Sequence, residues 1–157
     1  MLNAQTAASL SESRSNAAPQ GAADEAARKF GFSSGQIIQE FYFDDDVDMP
    51  LRDAIAAVTG EDLVEEDFSN TTDGAIIWWR AEDAEEDDLT DLLMDAAANL
   101  DDGGNIWVLC PKAGREGHVP TADVEEAADT SGMHASGTID AARDWIGMKL
   151  VSRPRSH

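Results

Sequence analysis

A chain of 157 residues, 42% apolar and carrying a formal charge of −21, is long enough to bury one sizeable core and too acidic to lie on nucleic acid or an anionic membrane over most of its surface. No apolar run approaches the ~18 residues of a membrane span, and the start at Met1–Gln5 lacks the basic and apolar regions of a secretory signal. The single cysteine, Cys110, excludes an internal disulfide framework and a CxxC zinc cluster, so a cytoplasmic protein is expected.

In chain order, residues 1–23 are rich in Ala, Ser, Asn and Gln without apolar periodicity and read as a disordered tail. Residues 24–153 read as one α/β domain and 154–157 as a C-terminal tail. A short helix is predicted from Asp24 to Phe30, closed by Gly31, and a turn over Phe32–Gly35 leads to a first strand, Gln36–Phe43. Asp44-Asp45-Asp46 ends it. Asp48 or a neighbour is read as the cap of a helix with Pro50 in its first turn, Leu51, Ile55 and Val58 on one face, and Gly60 as the stop. Leu63-Val64 is a short strand or extended link. Ala75–Arg80 is a strong strand, and the acidic run Glu82–Asp88 leads into a helix with a stripe of Leu89, Leu92, Leu93, Ala96, Ala97 and Leu100. Gly103-Gly104 is read as its stop, followed by a buried strand, Asn105–Cys110. Thr121 is read as the cap of a helix to about Ala128, broken by Ser131-Gly132. Ala135–Ala142 is ambiguous, and Trp145–Arg153 is a final strand. Strands alternating with helices predict a three-layer α/β sandwich with a mostly parallel sheet and a closing last strand.

The charge is uneven. Residues 1–39 balance, residues 40–102 hold 22 acids against Arg52 and Arg80 alone, and residues 103–157 hold seven acids against six bases. The bases of the last third lie near the last strand and near Pro111–His118, a glycine-rich loop at the carboxyl end of a predicted strand, which is where open α/β sheets bind ligands. Its glycines let backbone N–H groups approach an anion. Lys112, Gly114, Arg115, Gly117, His118 and Arg143 are therefore the candidate face for an anionic group or an acidic partner segment. The loop is not a GxxxxGK[ST] phosphate loop, and no GxGxxG follows the first strand. Asp44–Asp48 begins like a calcium loop but has Met49 and Ile55 where glycine and glutamate are required. No Ser/His/Asp or Cys/His spacing marks a catalytic set, and no metal site is expected. Cys110 ends an apolar run and reads as a packed thiol. Trp78 and Trp79, being consecutive on a strand, face opposite sides.

The segments FGFSSGQIIQE, DDDVDMPLRDAIAAVTG, IIWWR, GGNIWVLCPKAGREGHV and AARDWIGMKLV together resemble an actinobacterial family of unknown function over about residues 29–153. The resemblance implies a trimmed Rossmann-like fold close to the methyltransferase arrangement, with GGNIWVLCPK as a strand entered through a glycine pair and WIGMKLV as the closing strand. FYFDDDVD stands where that arrangement has its glycine-rich cofactor loop, so no cofactor is expected. The resulting expectation is a non-enzymatic, protein-binding or regulatory module, monomeric or weakly homo-oligomeric. A nucleotide-like ligand-binding protein or degenerate methyltransferase-like enzyme, and an acidic nucleic-acid mimic, are the alternatives.

Overall fold

The computed structural model of the chain describes residues 27–152. The readings for residues 1–26 and 153–157, including the start of the first helix, the tails and the end of the last strand, lie outside the described residues. A helical turn at 27–29 delivers Phe30, which stacks on Trp107 with ring centroids 4.5 Å apart. Strand β1 is Ile38–Phe41. Helix α1, Met49–Thr59, forms where its local signals stand: Asp48 accepts from the Leu51 N–H, Pro50 lies in the first turn, and Gly60 closes the helix at φ 77°. Val64 makes a one-residue parallel bridge to Gln39 outside β1.

Strand β2, Thr72–Trp78, is followed by a short helix α2, Ala81–Glu86, and by helix α3, Leu89–Asn99. The acidic run thus forms its own helix before α3, whose start is capped by the Asp88 carboxylate accepting from Thr90 N–H. Strand β3, Leu100–Pro111, begins directly after α3. Helix α4 is Thr121–Thr130, strand β4 Met133–Asp140, and strand β5 Trp145–Ser152.

Three expectations need correction. Gly103-Gly104 does not stop a helix; it lies inside β3, at a bulge where Thr72 pairs with Leu100 and Gly74 with Asn105. A Cβ on Gly104 would stand 2.7 Å from the Asp73 carbonyl and 2.8 Å from the Leu100 side chain, so a close backbone approach selects glycine there. The cap of α4 is Pro120, with Thr121 as the first helical residue. The sheet is not mostly parallel. Its order is β1-β2-β3-β5-β4, with β1–β2 and β2–β3 parallel but β3–β5 and β4–β5 antiparallel. The cause is the short turn between Asp140 and Trp145, which can only return the chain antiparallel; β5 then fills the space between β3 and β4. The ambiguous stretch becomes the edge strand β4.

Helices cover both faces, as a three-layer sandwich requires. One core sets Leu51, Ala54 and Ile55 of α1 against Ile76, Trp78, Trp107 and Leu109. The other sets Leu89, Leu93 and Ala96 of α3 and Val124 and Ala128 of α4 against Ile77, Trp79 and Val108. Trp78 and Trp79 fall in different cores, and all four tryptophans are buried. Among the described residues, no helix is long and apolar enough to cross a membrane.

Candidate functional site

The carboxyl ends of β1, β2 and β3 open on three loops, 42–48, 79–80 and 112–120. Because Pro111 pairs with Trp145 at the start of β5, the 141–144 turn is brought to the same end of the sheet. This juxtaposition sets the environment of the basic loop. Lys112 Nζ lies 2.5 Å from Asp140, and Arg115 Nε 3.0 Å from Asp144. His118 donates Nδ1–H to the Pro111 carbonyl at 2.9 Å, since a carbonyl only accepts. Arg143 is exposed and makes no ion pair with a described residue. Gly114 and Gly117 take φ of 86° and 83°, and the Gly117 carbonyl accepts from Ala81 N–H at 2.9 Å. The structure therefore gathers Lys112, Gly114, Arg115, Gly117, His118 and Arg143 at one end, with two of the bases already paired to acids of the same face.

The centre of the strand ends is occupied by a residue that sequence reasoning passed over. Arg80 follows β2 and is only 5% exposed. Its Nε and Nη2 grip the two oxygens of Asp46, the Nε bond measuring 2.9 Å. Its Nη1 donates to the Tyr42 carbonyl at 2.9 Å, to the Trp78 carbonyl at 3.0 Å and to Asp83 at 3.3 Å, and the guanidinium stands 5.4 Å from the Trp145 ring centroid. Burial works to lower the Arg80 pKa, but the hydrogen bonds and charges of Asp46 and Asp83 outweigh it and hold the guanidinium above its ordinary value. A signal was present in the sequence: Arg80 and Arg52 are the sole bases between residues 40 and 102, and a base isolated among acids at a strand end is placed to be paired.

Tyr42 is the second unforeseen element. It takes φ 63°, the left-handed conformation that glycine enters freely and a tyrosine does not. Three bonds hold it: its N–H to Glu66 at 2.8 Å, its hydroxyl to Asp87 at 2.5 Å, and its carbonyl from Arg80. Burial, then the hydrogen bond and charge of Asp87, push the phenol well above its usual pKa. The aspartate run thus has structural employment: Asp46 holds Arg80, Asp48 caps α1, and Asp44 accepts from Asp45 N–H. Among the described residues, no group of three or more His, Cys, Asp or Glu is arranged to hold a metal ion.

Beside this plug lies a cleft of about 410 Å³, bordered by Asp46, Glu82, Glu116 and Asp144 against the single base Arg115. It carries more acid than base, so an anion would meet the rim of the loop rather than the cleft. Cys110 is buried in the core, and burial alone pushes its thiol up to about 12. At pH 8, Ellman's reagent is expected to react with native protein only at the rate of unfolding, and with urea-unfolded protein at once; fast native labelling would contradict the packed-thiol reading. Because the folded pKa is the higher one, stability from this site is intact below the ordinary thiol pKa and falls between about pH 9 and 12.

The fold is a Rossmann-like α/β one, and solved methyltransferases share it. Magnesium protoporphyrin IX methyltransferase from Synechocystis, solved with bound SAM, matches 85% of this chain and 79% of its own at 12% identity, with a TM-score of 0.54. Mitomycin 7-O-methyltransferase matches 83% of this chain and 54% of its own at 10% identity and a TM-score of 0.58. The CcbJ methyltransferase from Streptomyces caelestis matches 87% and 91% at 10% identity and a TM-score of 0.53. At these identities the likeness is one of fold. The chain itself belongs to the family described as protein of unknown function (DUF3052), matched over residues 27–154. Uncharacterised proteins of Mycobacterium tuberculosis and Mycobacterium bovis are each 41% identical to it over 138 residues, covering 86% of this chain and 84% of theirs.

Proposed function

We propose that this chain is a binding module built on a methyltransferase-like scaffold, one that contacts a partner protein and does not transfer methyl groups. The observation that carries the reading is the Arg80 plug. Ligands of open α/β sheets lie outside the strand ends, where the strand order reverses and a glycine turn lets them approach the backbone. Here the chain crosses from β1 through α1 to the Val64 bridge on one side of β1 and returns to β2 on the other, so the strand order does reverse at β1, and it is the residues of the following loops that fill the strand ends. Tyr42 takes glycine's conformation while keeping a full side chain, and Arg80 with Asp46 fills the centre. These residues do not fit S-adenosylmethionine.

The contact face is the 112–118 loop with Arg143. Asp140 and Asp144, which neutralise Lys112 and Arg115, are themselves 73% and 53% exposed. Exposed ion pairs of this kind contribute only about 0–1 kcal/mol, so carboxylates of a partner can exchange with them at little cost. The 410 Å³ cleft supports a second reading, a small-molecule site.

Thermal unfolding of the full chain distinguishes these readings. A ligand at about 100 times its Kd stabilises by about 2.7 kcal/mol, a shift of several degrees for a domain of this size. No shift is expected with S-adenosylmethionine or a nucleotide panel; a saturable shift with either overturns the reading. For the contact face, Lys112→Ala with Arg115→Ala is expected to abolish capture of a partner that the unaltered chain retains, and undiminished capture would rule that face out.

A further inference from the structure

We infer that a groove along the outer edge of β1 is a docking site for a lysine- or arginine-bearing segment of a partner protein, a second contact opposite in charge to the one above and independent of it. Three observations meet there. First, Phe43 and Met49 are two of the large apolar side chains left exposed, at 50% and 46%, and they are neighbours through Arg52. The Arg52 guanidinium lies 4.5 Å from the Phe43 ring centroid, and its Nη1 is 3.8 Å from the Met49 sulfur. Apolar side chains exposed together and rimmed by charge mark interaction surfaces more often than isolated ones do.

Second, Arg52 is fixed. Its Nε and Nη2 bind both oxygens of Glu40 at 2.6 and 2.7 Å, and Glu40, only 6% exposed, also accepts from the Trp78 indole N–H at 2.8 Å. The aromatic floor therefore stands on a rigid base, and side-chain ordering on docking costs little. Third, Glu65, Glu66 and Asp67 line the facing wall of the same groove, which holds about 440 Å³. With Arg52 already neutralised by Glu40, the wall presents uncompensated carboxylates opposite an exposed aromatic ring.

That chemistry selects one occupant. An extended basic side chain lays its aliphatic stem against Phe43 and Met49, and its cationic head meets the carboxylates of the facing wall. A second copy of this chain, at −21 itself, is repelled, and so is an acidic peptide.

The test uses fluorescence anisotropy of a short labelled peptide of alternating lysine and leucine on the full chain at physiological salt. Since any basic peptide feels the overall charge, the comparison is between variants. Phe43→Ala, which leaves the charge untouched, is expected to weaken binding about tenfold, in keeping with loss of the apolar surface that the aliphatic stem covers. Glu65→Lys with Asp67→Lys is expected to weaken it more than that. Asp95→Lys with Glu125→Lys, exposed positions on α3 and α4 that make the same change in net charge, is expected to change it less than about twofold. Equal weakening by the two charge pairs, or no effect of Phe43→Ala, overturns the site. Displacement of the peptide by equimolar spermidine overturns the protein segment as occupant and leaves a small-polyamine site.

Discussion

Trp78→Ala is expected to lower the unfolding free energy by about 3–5 kcal/mol, the range for truncating a large aromatic in a closed core. Trp78 is fully buried on the α1 side of the sheet, with its ring edge-on to Trp145 at 4.9 Å. It sits on a central strand, so the surrounding β1–β2–β3 ladder cannot collapse into the void. It is also the indole donor to Glu40, and its loss leaves a nearly buried carboxylate with one partner fewer. Against a typical stability of about 5–15 kcal/mol, that change removes a large share of the total. Trp78→Phe separates the contributions: it keeps most of the ring and drops the N–H, so about 1–2 kcal/mol is expected. Urea unfolding followed by circular dichroism reads both, and a loss under about 1 kcal/mol for the alanine would mean that the core repacks around the gap.

Arg80→Met should cost about 3 kcal/mol, because methionine fills much of the volume but supplies none of the donors. The Tyr42 and Trp78 carbonyls lose their side-chain partner, while Asp83 and the half-exposed Asp46 can rehydrate. Asp46→Asn, at the exposed end of the pair, should cost about 1 kcal/mol or less. In the double variant the two losses should fall short of their sum by at least about 0.5 kcal/mol, since the residues share a bidentate bond. Strict additivity would mean that Asp46 is not what holds Arg80. The variant also bears on function. If Arg80→Met, still folded, gains a thermal shift with S-adenosylmethionine that the unaltered chain lacks, the plug alone accounts for the closed site. If it does not, the loop after β1, with Tyr42 in glycine's conformation, is enough to exclude the cofactor.

The elements legible in the sequence are those whose determinants are local. Helix α1 could be read from Asp48, Pro50 and Gly60 because a cap, a first turn and a left-handed stop are decided within a dozen residues. The opposite facing of Trp78 and Trp79 follows from the period of a strand, and the buried Cys110 from the apolar run that contains it. The five candidate residues of the basic loop and Arg143 do come together, because the loop itself spans only eight residues and Arg143 is returned to it by the β4–β5 hairpin.

What the sequence by itself determined, then, is both ends of α1, most of the alternation of strands with helices, and the α/β class of the fold. The tertiary structure alone decided the rest, for one physical reason: each remaining feature depends on a neighbour distant in the chain. Gly104 belongs to a strand because the Asp73 carbonyl passes within reach of its missing Cβ. Strand β4, poor in strand-forming residues, exists because β5 pairs along it, and the same hairpin makes the sheet mixed. Lys112 and Arg115 are neutral in company because Asp140 and Asp144 return beside them. Arg80 closes the strand ends because Asp46, from the turn after β1, lies within its grasp.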